Sequence, residues 1–320
     1  MNPKRAIVDA LGKAERVLIC MHQVPDGDSA GSGLALGLAL RKLGKTVQWV
    51  AQDALPSRIA FLPGAREVKR WDQVTFEEFP VAVAVDCGHK SRLGAPDAFW
   101  EQNRLMINID HHRHNDAFGT LNWIDGDKSS TGEMVVELYW EAGWSLDGQE
   151  ALCLYTAMST DTLSFRQRNT TPHTFKAAEW VASGGLNLGD ANRLIWDSQT
   201  VKEVRFLGWA LESFEVSEDE RLAWLAVPRQ VMNQYQVDDA SVDTVVQYLM
   251  SIARVEVAFL VRESAEGKAA KVSWRGRESW DVASAAEHFG GGGHPYAAAA
   301  IVSGTLADVV QRVRQELEAQ

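Results

Sequence analysis

Short runs of nearly continuous apolar residues alternate, in the first half of the chain, with longer stretches whose apolar positions recur at helical spacing. VLICM at 17–21, TVQWV at 46–50, VAVAV at 81–85 and LMINI at 105–109 have the pattern of strands buried on both faces. The stretch 30–43, closed by Gly44, predicts a helix, and 131–142, ended by Gly143, and 150–158 predict two more. This alternation predicts an α/β fold with a doubly wound parallel sheet. Further on, LAWLAV at 222–227, VEVAFLV at 255–261 and AKVSW at 270–274 predict strands, with a helix over 242–253, which makes a smaller mixed α/β unit. A helix-like connector at 190–214 separates the two, giving domains at 1–189 and 215–320.

The residues that follow the apolar runs carry the chemistry. His22, Asp26 and Asp28 follow the first run, Asp86 the third, and Asp110, His111 and His112 the fourth; Asp161 follows the 150–158 helix. In an open parallel sheet the carboxyl ends of the strands line the ligand crevice, so groups distant in sequence converge there. Singly, each of these residues is an ordinary turn or helix-cap residue. Together they are carboxylates and imidazoles without a thiolate, a donor set that suits Mn²⁺ or another fairly hard divalent ion. Four aspartates and two histidines would overcharge one ion and suit two, with one aspartate shared.

Composition narrows the partners. With 32 Lys and Arg against 43 Asp and Glu, the formal charge is -11, which excludes a basic stripe for long nucleic acid but not a short anionic substrate. Three scattered cysteines, Cys20, Cys87 and Cys153, form neither a disulfide framework nor a zinc knuckle. No apolar run approaches the roughly 18 residues of a membrane span, and the N-terminal stretch lacks the apolar core of a signal peptide, so the expected location is cytoplasmic. Apolar positions in the connector point to a homodimer. No serine or cysteine stands in a G-x-S-x-G elbow, which favours attack by water.

The motifs HQVPDGDSAGS, VDCG, IDHH and STDT, in this order, resemble the four motifs of the DHH phosphoesterase family. VSWRGR (272–277) and FGGGGHPYAAAA (289–300) resemble the two motifs of the DHH-associated domain that covers the active site in that family. Within it, the compact two-domain chain is most similar to the bacterial nanoRNases, which are bifunctional oligoribonucleases and pAp phosphatases.

The resemblance implies that His22, Asp26 and Asp86 hold one metal ion and that Asp28, Asp86, His111 and Asp161 hold the other. Asp86 is then the bridge, Asp110 orients a histidine, and His112 contacts the scissile phosphate. Two divalent ions, Mn²⁺ expected, about 3.5–4 Å apart would deliver a metal-bridging hydroxide to phosphorus. In the C-terminal lid the resemblance and the strand pattern single out Arg275 for a substrate phosphate. Gly291, Gly292 and Gly293 lie in a loop whose backbone an anion or nucleoside can approach, and His294 adds a polar or stacking contact.

The implied reaction is hydrolysis of short oligoribonucleotides to nucleoside 5′-monophosphates and of pAp to AMP. A phosphodiesterase for linear or cyclic dinucleotides and a non-catalytic nucleotide-binding module are the alternatives. The chain departs from the family pattern at Ala300 and Gly276, and at Leu163, where a glycine is common.

Overall fold

In the computed structural model, residues 2–277, 280–294 and 296–318 are described, the side chain of His294 excepted. The chain divides into two units, 1–198 and 199–320. The first is built on six strands: β1 (Arg16–Cys20), β2 (Thr46–Ala51), β3 (Lys69–Arg70), β4 (Val81–Val85), β5 (Leu105–Asp110) and β6 (Leu121–Ile124). They lie in the order β3-β2-β1-β4-β5-β6, and every pairing is parallel. The chain winds outward from β1 in one direction and resumes at β4 on its other side. The topological switch point therefore lies between β1 and β4, which pair from Val17↔Val81 to Cys20↔Ala84.

Both faces of this sheet are buried, which is why its strands read as continuous apolar runs. Val17 and Ile19 enter one core, beneath α1 (Pro3–Lys13), α2 (Gly27–Lys42), α4 (Thr131–Ala142) and α5 (Gly148–Asp161). Leu18 and Cys20 enter the other, where Trp71, Phe76 and Phe99 meet edge to face under short turns that include α3 (Asp97–Trp100). The unit ends with α6 (Pro172–Ser183) and α7 (Leu188–Trp196). All three cysteines are free and buried.

The helix expected over 30–43 starts earlier, at Gly27, because Asp26 caps it by accepting the N–H groups of Asp28 and Ser29. The helix expected over 150–158 runs on to Asp161, which is its last residue rather than a neighbour of its end. Thr160 and Thr162 prolong it by bonding their hydroxyls back to the Thr156 and Met158 carbonyls. Strand β6 and helices α1 and α6 lie outside the predicted elements.

The second unit opens with α8 (Val201–Ser213) and a sheet of six: β7 (Glu215–Val216), β8 (Leu222–Val227), β9 (Val257–Glu263), β10 (Ala269–Gly276), β11 (Gly292–His294) and β12 (Ala297–Ser303). Their order is β11-β12-β10-β9-β8-β7, parallel between β8 and β9 and antiparallel elsewhere. Helices α12 (Val282–His288) and α13 (Leu306–Glu318) supply the core on one face, with Trp274 and Phe259. The other face carries α8, α9 (Arg229–Tyr235) and the short α10 (Asp239–Asp243) and α11 (Val246–Leu249).

Three expectations change here. The connector at 190–214 is two helices, α7 and α8, because Thr200 and Glu203 form a reciprocal capping box that starts a new helix. The helix expected over 242–253 is the pair α10 and α11. Its apolar positions Val242, Val246 and Leu249 do enter the core, with a turn at Thr244 and Val245 between the two helices. The glycine run, read as a loop, is partly strand: Gly292 and Gly293 pair with Ala299 and Ala298. A Cβ on Gly293 would lie 2.4 Å from the Ala297 carbonyl, so the ladder closes only without side chains there. No helix among the described residues is long and apolar enough to cross a membrane.

Helices α2 and α5 pack closely through glycines one turn apart. A Cβ at Gly27 would lie 2.3 Å from Thr160 Oγ1, and one at Gly31 would lie 2.4 Å from the Cys153 carbonyl oxygen. Gly31→Ala should therefore destabilise the protein by about 1–3 kcal/mol through overpacking against fixed backbone. Denaturant unfolding checks this: the midpoint should fall at constant slope, and an unchanged midpoint would mean that the two helices separate freely.

Candidate dimetal centre

Eight of the predicted side chains meet beyond the carboxyl ends of β1, β4 and β5. Two lie at the ends of the packed helices: Asp28 sits in the first turn of α2 and Asp161 at the end of α5. The close helix contact thus brings together carboxylates 133 positions apart in sequence. Asp86 follows β4, and its N–H donates to the Ile109 carbonyl at 2.9 Å, extending the ladder by one residue. Its φ of 57° is left-handed, a conformation aspartate tolerates better than most side chains.

The two oxygens of Asp86 face different partners. Oδ2 lies 3.5 Å from His22 Nε2, and Oδ1 lies 3.6 Å from His111 Nε2. On the first side, His22 Nε2 is also 3.7 Å from Asp26 Oδ1. On the second, His111 Nε2 is 3.7 Å from Asp28 Oδ2 and 3.6 Å from Asp161 Oδ2. The sets His22, Asp26, Asp86 and Asp28, His111, Asp161 each have ligand atoms within 4.8 Å of one another, and so do Asp86, His111 and His112.

Hydrogen bonds behind the histidines set their tautomers. His22 Nδ1 meets the Gln23 carbonyl at 2.7 Å, and His111 Nδ1 meets the Lys128 carbonyl at 3.3 Å. A carbonyl accepts only, so each Nδ1 carries a proton, and in the neutral ring it is Nε2 that turns its lone pair toward the carboxylates. His112 is held differently: its Nδ1 bonds Asp110 Oδ1 at 2.7 Å, and Asp110, fully buried, accepts from Asn115 Nδ2 through its other oxygen at 2.6 Å. Carboxylate oxygens with imidazole lone pairs directed among them fit divalent cations.

The crowding also moves the protonation equilibria. Burial alone would lower the pKa of His22, but Asp26 and Asp86 outweigh it and hold the ring up at about 10. Burial opposes the charge on His111 as well, and Asp161, Asp28 and Asp86 raise it to about 9. His112 reaches about 9 against burial through Asp110 and Asp86. Burial, together with Asp86 and Asp161, lifts Asp28 well above the usual carboxylate range. Asp161 rises to about 7, chiefly through burial, with His111 opposing and Asp86 and Asp26 adding to it.

Several groups outside the predicted set shape the centre. Thr131 N–H and Gly132 N–H, at the start of α4, donate to Asp28 at 2.7 and 2.9 Å, and Thr131 Oγ1 donates to Asp86 Oδ1 at 3.1 Å. Asn169 Nδ2 reaches Asp161 Oδ2 at 3.3 Å. Arg92 Nη2 lies 3.4 Å from His22 Nδ1. Backbone strain gathers here too: Val24, Leu163, Ser164 and Phe165 all have left-handed φ, Leu163 standing where the family motif commonly has glycine.

Of the predicted substrate contacts, Arg275 and Gly291–Gly293 belong to the second unit. Arg275 lies in β10 between Ala258 and Ala297, half-buried, with Nη1 donating to the Trp274 carbonyl at 2.8 Å. The His294 side chain lies outside the described residues.

Comparison with known proteins bears on both units. Residues 16–158 match the DHH family N-terminal domain, and residues 225–320 match the DHHA1 domain. The chain is 32% identical to the bifunctional oligoribonuclease and PAP phosphatase NrnA of Thermus thermophilus, over 98% of this chain and 94% of that one. It is 24% identical to the protein of the same name from Bacillus subtilis, over 98% and 97%. In fold it superposes on an exopolyphosphatase-related protein from Bacteroides fragilis with a TM-score of 0.94, at 24% identity and over 99% and 96% of the two chains. The chain belongs to the DHH family, and it is a metal-dependent phosphoesterase.

Proposed function

We propose that this protein hydrolyses short oligoribonucleotides to nucleoside 5′-monophosphates and dephosphorylates pAp to AMP, using two divalent cations, Mn²⁺ by preference. The observation that carries the two-ion reading is the Asp86 carboxylate, whose opposite oxygens address His22 and His111. The substrate reading rests on near full-length likeness to proteins named for both activities.

In this reading His22, Asp26 and Asp86 hold one ion, while Asp28, Asp86, His111 and Asp161 hold the other. Bound there, the cations supply Lewis acidity toward phosphate and acidify a water molecule. Asp86 fixes the spacing between the two positions. His112, its Nδ1 engaged by Asp110, offers Nε2 to the phosphate or the departing oxygen. Asp110 is a positioning residue, locked by Asn115. From the second unit, Arg275 and the Gly291–Gly293 backbone contribute substrate contacts, with His294.

Product chromatography after incubation with Mn²⁺ and pApA, pAp, cyclic di-AMP, pyrophosphate or a long RNA tests the assignment. AMP from pApA and pAp, with the long RNA spared, is the expected result. Turnover of cyclic di-AMP or pyrophosphate alone would overturn it, and no turnover of any would favour a binding module.

Asp86→Ala should lower kcat at least about a thousandfold, on the order of 4 kcal/mol of transition-state stabilisation, with the fold intact by circular dichroism. Retained turnover would rule out the shared-carboxylate scheme. Arg275→Ala should raise KM for pApA roughly tenfold or more, as for a lost charge-assisted phosphate contact, while Mn²⁺ affinity stays unchanged.

Metal binding should release protons. With pKa values near 10 and 9, His22 and His111 are protonated at neutral pH in the metal-free protein, and a cation needs the neutral ring. Apparent Mn²⁺ affinity should therefore rise with pH and level off above about pH 9–10. Calorimetry in buffers of different ionisation enthalpy reads this directly: a heat independent of buffer would mean that these rings are not displaced from their protons.

A further inference from the structure

The segment just before and into α4, residues 128–132, touches three of the four proposed ligands of one cation position and reaches the fourth, Asp161, through Asn169. The Lys128 carbonyl faces His111 Nδ1, and Thr131 and Gly132 donate their N–H groups to Asp28. The Thr131 hydroxyl reaches Asp86 Oδ1. The Ser129 carbonyl accepts from Asn169 Nδ2 at 2.8 Å, and the same nitrogen reaches Asp161. His22 and Asp26 are held from elsewhere, by the Gln23 carbonyl and by the first N–H groups of α2.

What fixes this segment is Glu133. Its carboxylate, 1% exposed, accepts from Ser129 N–H at 3.2 Å and from Ser129 Oγ at 2.6 Å. From α6 it takes Thr174 Oγ1 at 2.8 Å and His173 Nδ1 at 2.8 Å, and Lys128 Nζ stands 3.7 Å away. The local sequence S-T-G-E has the spacing of a helix capping box, and Ser130 does cap α4 by accepting the Glu133 N–H. The returning glutamate, however, passes Ser130 and grips Ser129. A buried carboxylate with this many donors is anchored, since losing any partner leaves a desolvated charge unsatisfied.

We infer that Glu133 is a positioning residue for one of the two cation sites: by clamping Ser129 to α6 it sets the Lys128–Gly132 backbone that orients Asp28 and His111 and, through Asn169, Asp161, while His22 and Asp26, the ligands particular to the other site, are held from elsewhere. The inference rests on the two-ion reading proposed above. It assigns no contact between Glu133 and substrate or metal.

Mn²⁺ titration calorimetry on the full chain tests it without reference to turnover. Wild-type protein should show two binding steps. In Glu133→Ala one dissociation constant should rise about 10- to 100-fold, the range for partners that orient ligands, and the other should stay within about twofold. Glu133→Gln, whose amide oxygen still accepts from Ser129, should restore most of the loss.

A double-mutant cycle locates the affected site. In a His22→Ala background the Glu133→Ala effect should persist on the remaining site, whereas in a background that deletes that site by Asp28→Ala and Asp161→Ala together it should vanish. Equal weakening of both steps, or a lowered melting temperature with both affinities unchanged, would overturn the inference. Ser129→Ala deletes a single hydroxyl bond and carries the same test, with a smaller shift, if the Glu133→Ala chain does not fold. A single binding step in the wild-type protein would instead refute the two-ion reading itself.

Discussion

Mutual repulsion among Asp26, Asp28, Asp86 and Asp161 is the constraint around which the first unit is organised. Carboxylates this close cannot all ionise without compensating positive charge. The fold supplies compensation from three directions. Imidazoles stand at the ends of β1 and β5, the N-terminus of α4 turns two backbone N–H groups onto Asp28, and Asp161 keeps a pKa near 7. In the proposed two-ion reading, divalent cations add the remaining positive charge. Each device depends on placement at the switch point of the sheet, so sheet topology and charge balance are a single problem here.

Much of this organisation is legible in the sequence for an identifiable reason. Strands buried on both faces leave continuous apolar runs, so β4 and the helix α4 have the bounds that the pattern predicts, β2 and β5 run one residue further, and β1 is shifted by one residue at both ends. Site side chains placed directly after such runs are easy to find. What stays hidden is carried by atoms every residue possesses. The Lys128 and Ser129 carbonyls and the Thr131 and Gly132 N–H groups do as much to shape the centre as any side chain, and no residue type announces them. The S-x-x-E spacing at 130–133 reads as an ordinary helix start until the glutamate is seen to reach Ser129.

Elsewhere, local preference and tertiary context pull apart. The 242–253 stretch has helical apolar spacing and delivers its valines to the core, yet a turn at Thr244 and Val245 divides it into two short helices. The glycine run suggests freedom, but Gly291 and Gly293 serve close approach to the alanines of β12, where a Cβ would lie 2.2 Å from the Ala299 carbonyl oxygen and 2.4 Å from that of Ala297. Arg275 sits in a strand whose alternate residues, Val272 and Trp274, are core, so the guanidinium is anchored from a rigid element.

The outermost strands of both sheets are short: two residues in β3, four in β6, two in β7 and three in β11. An edge strand exposes unpaired N–H and C=O groups that another chain can extend, and the hazard grows with its length and flatness. Here the long, strongly apolar strands are interior and the margins are brief. The hydrophobic strand runs that make the fold easy to read are therefore kept from acting as templates for intermolecular sheet growth.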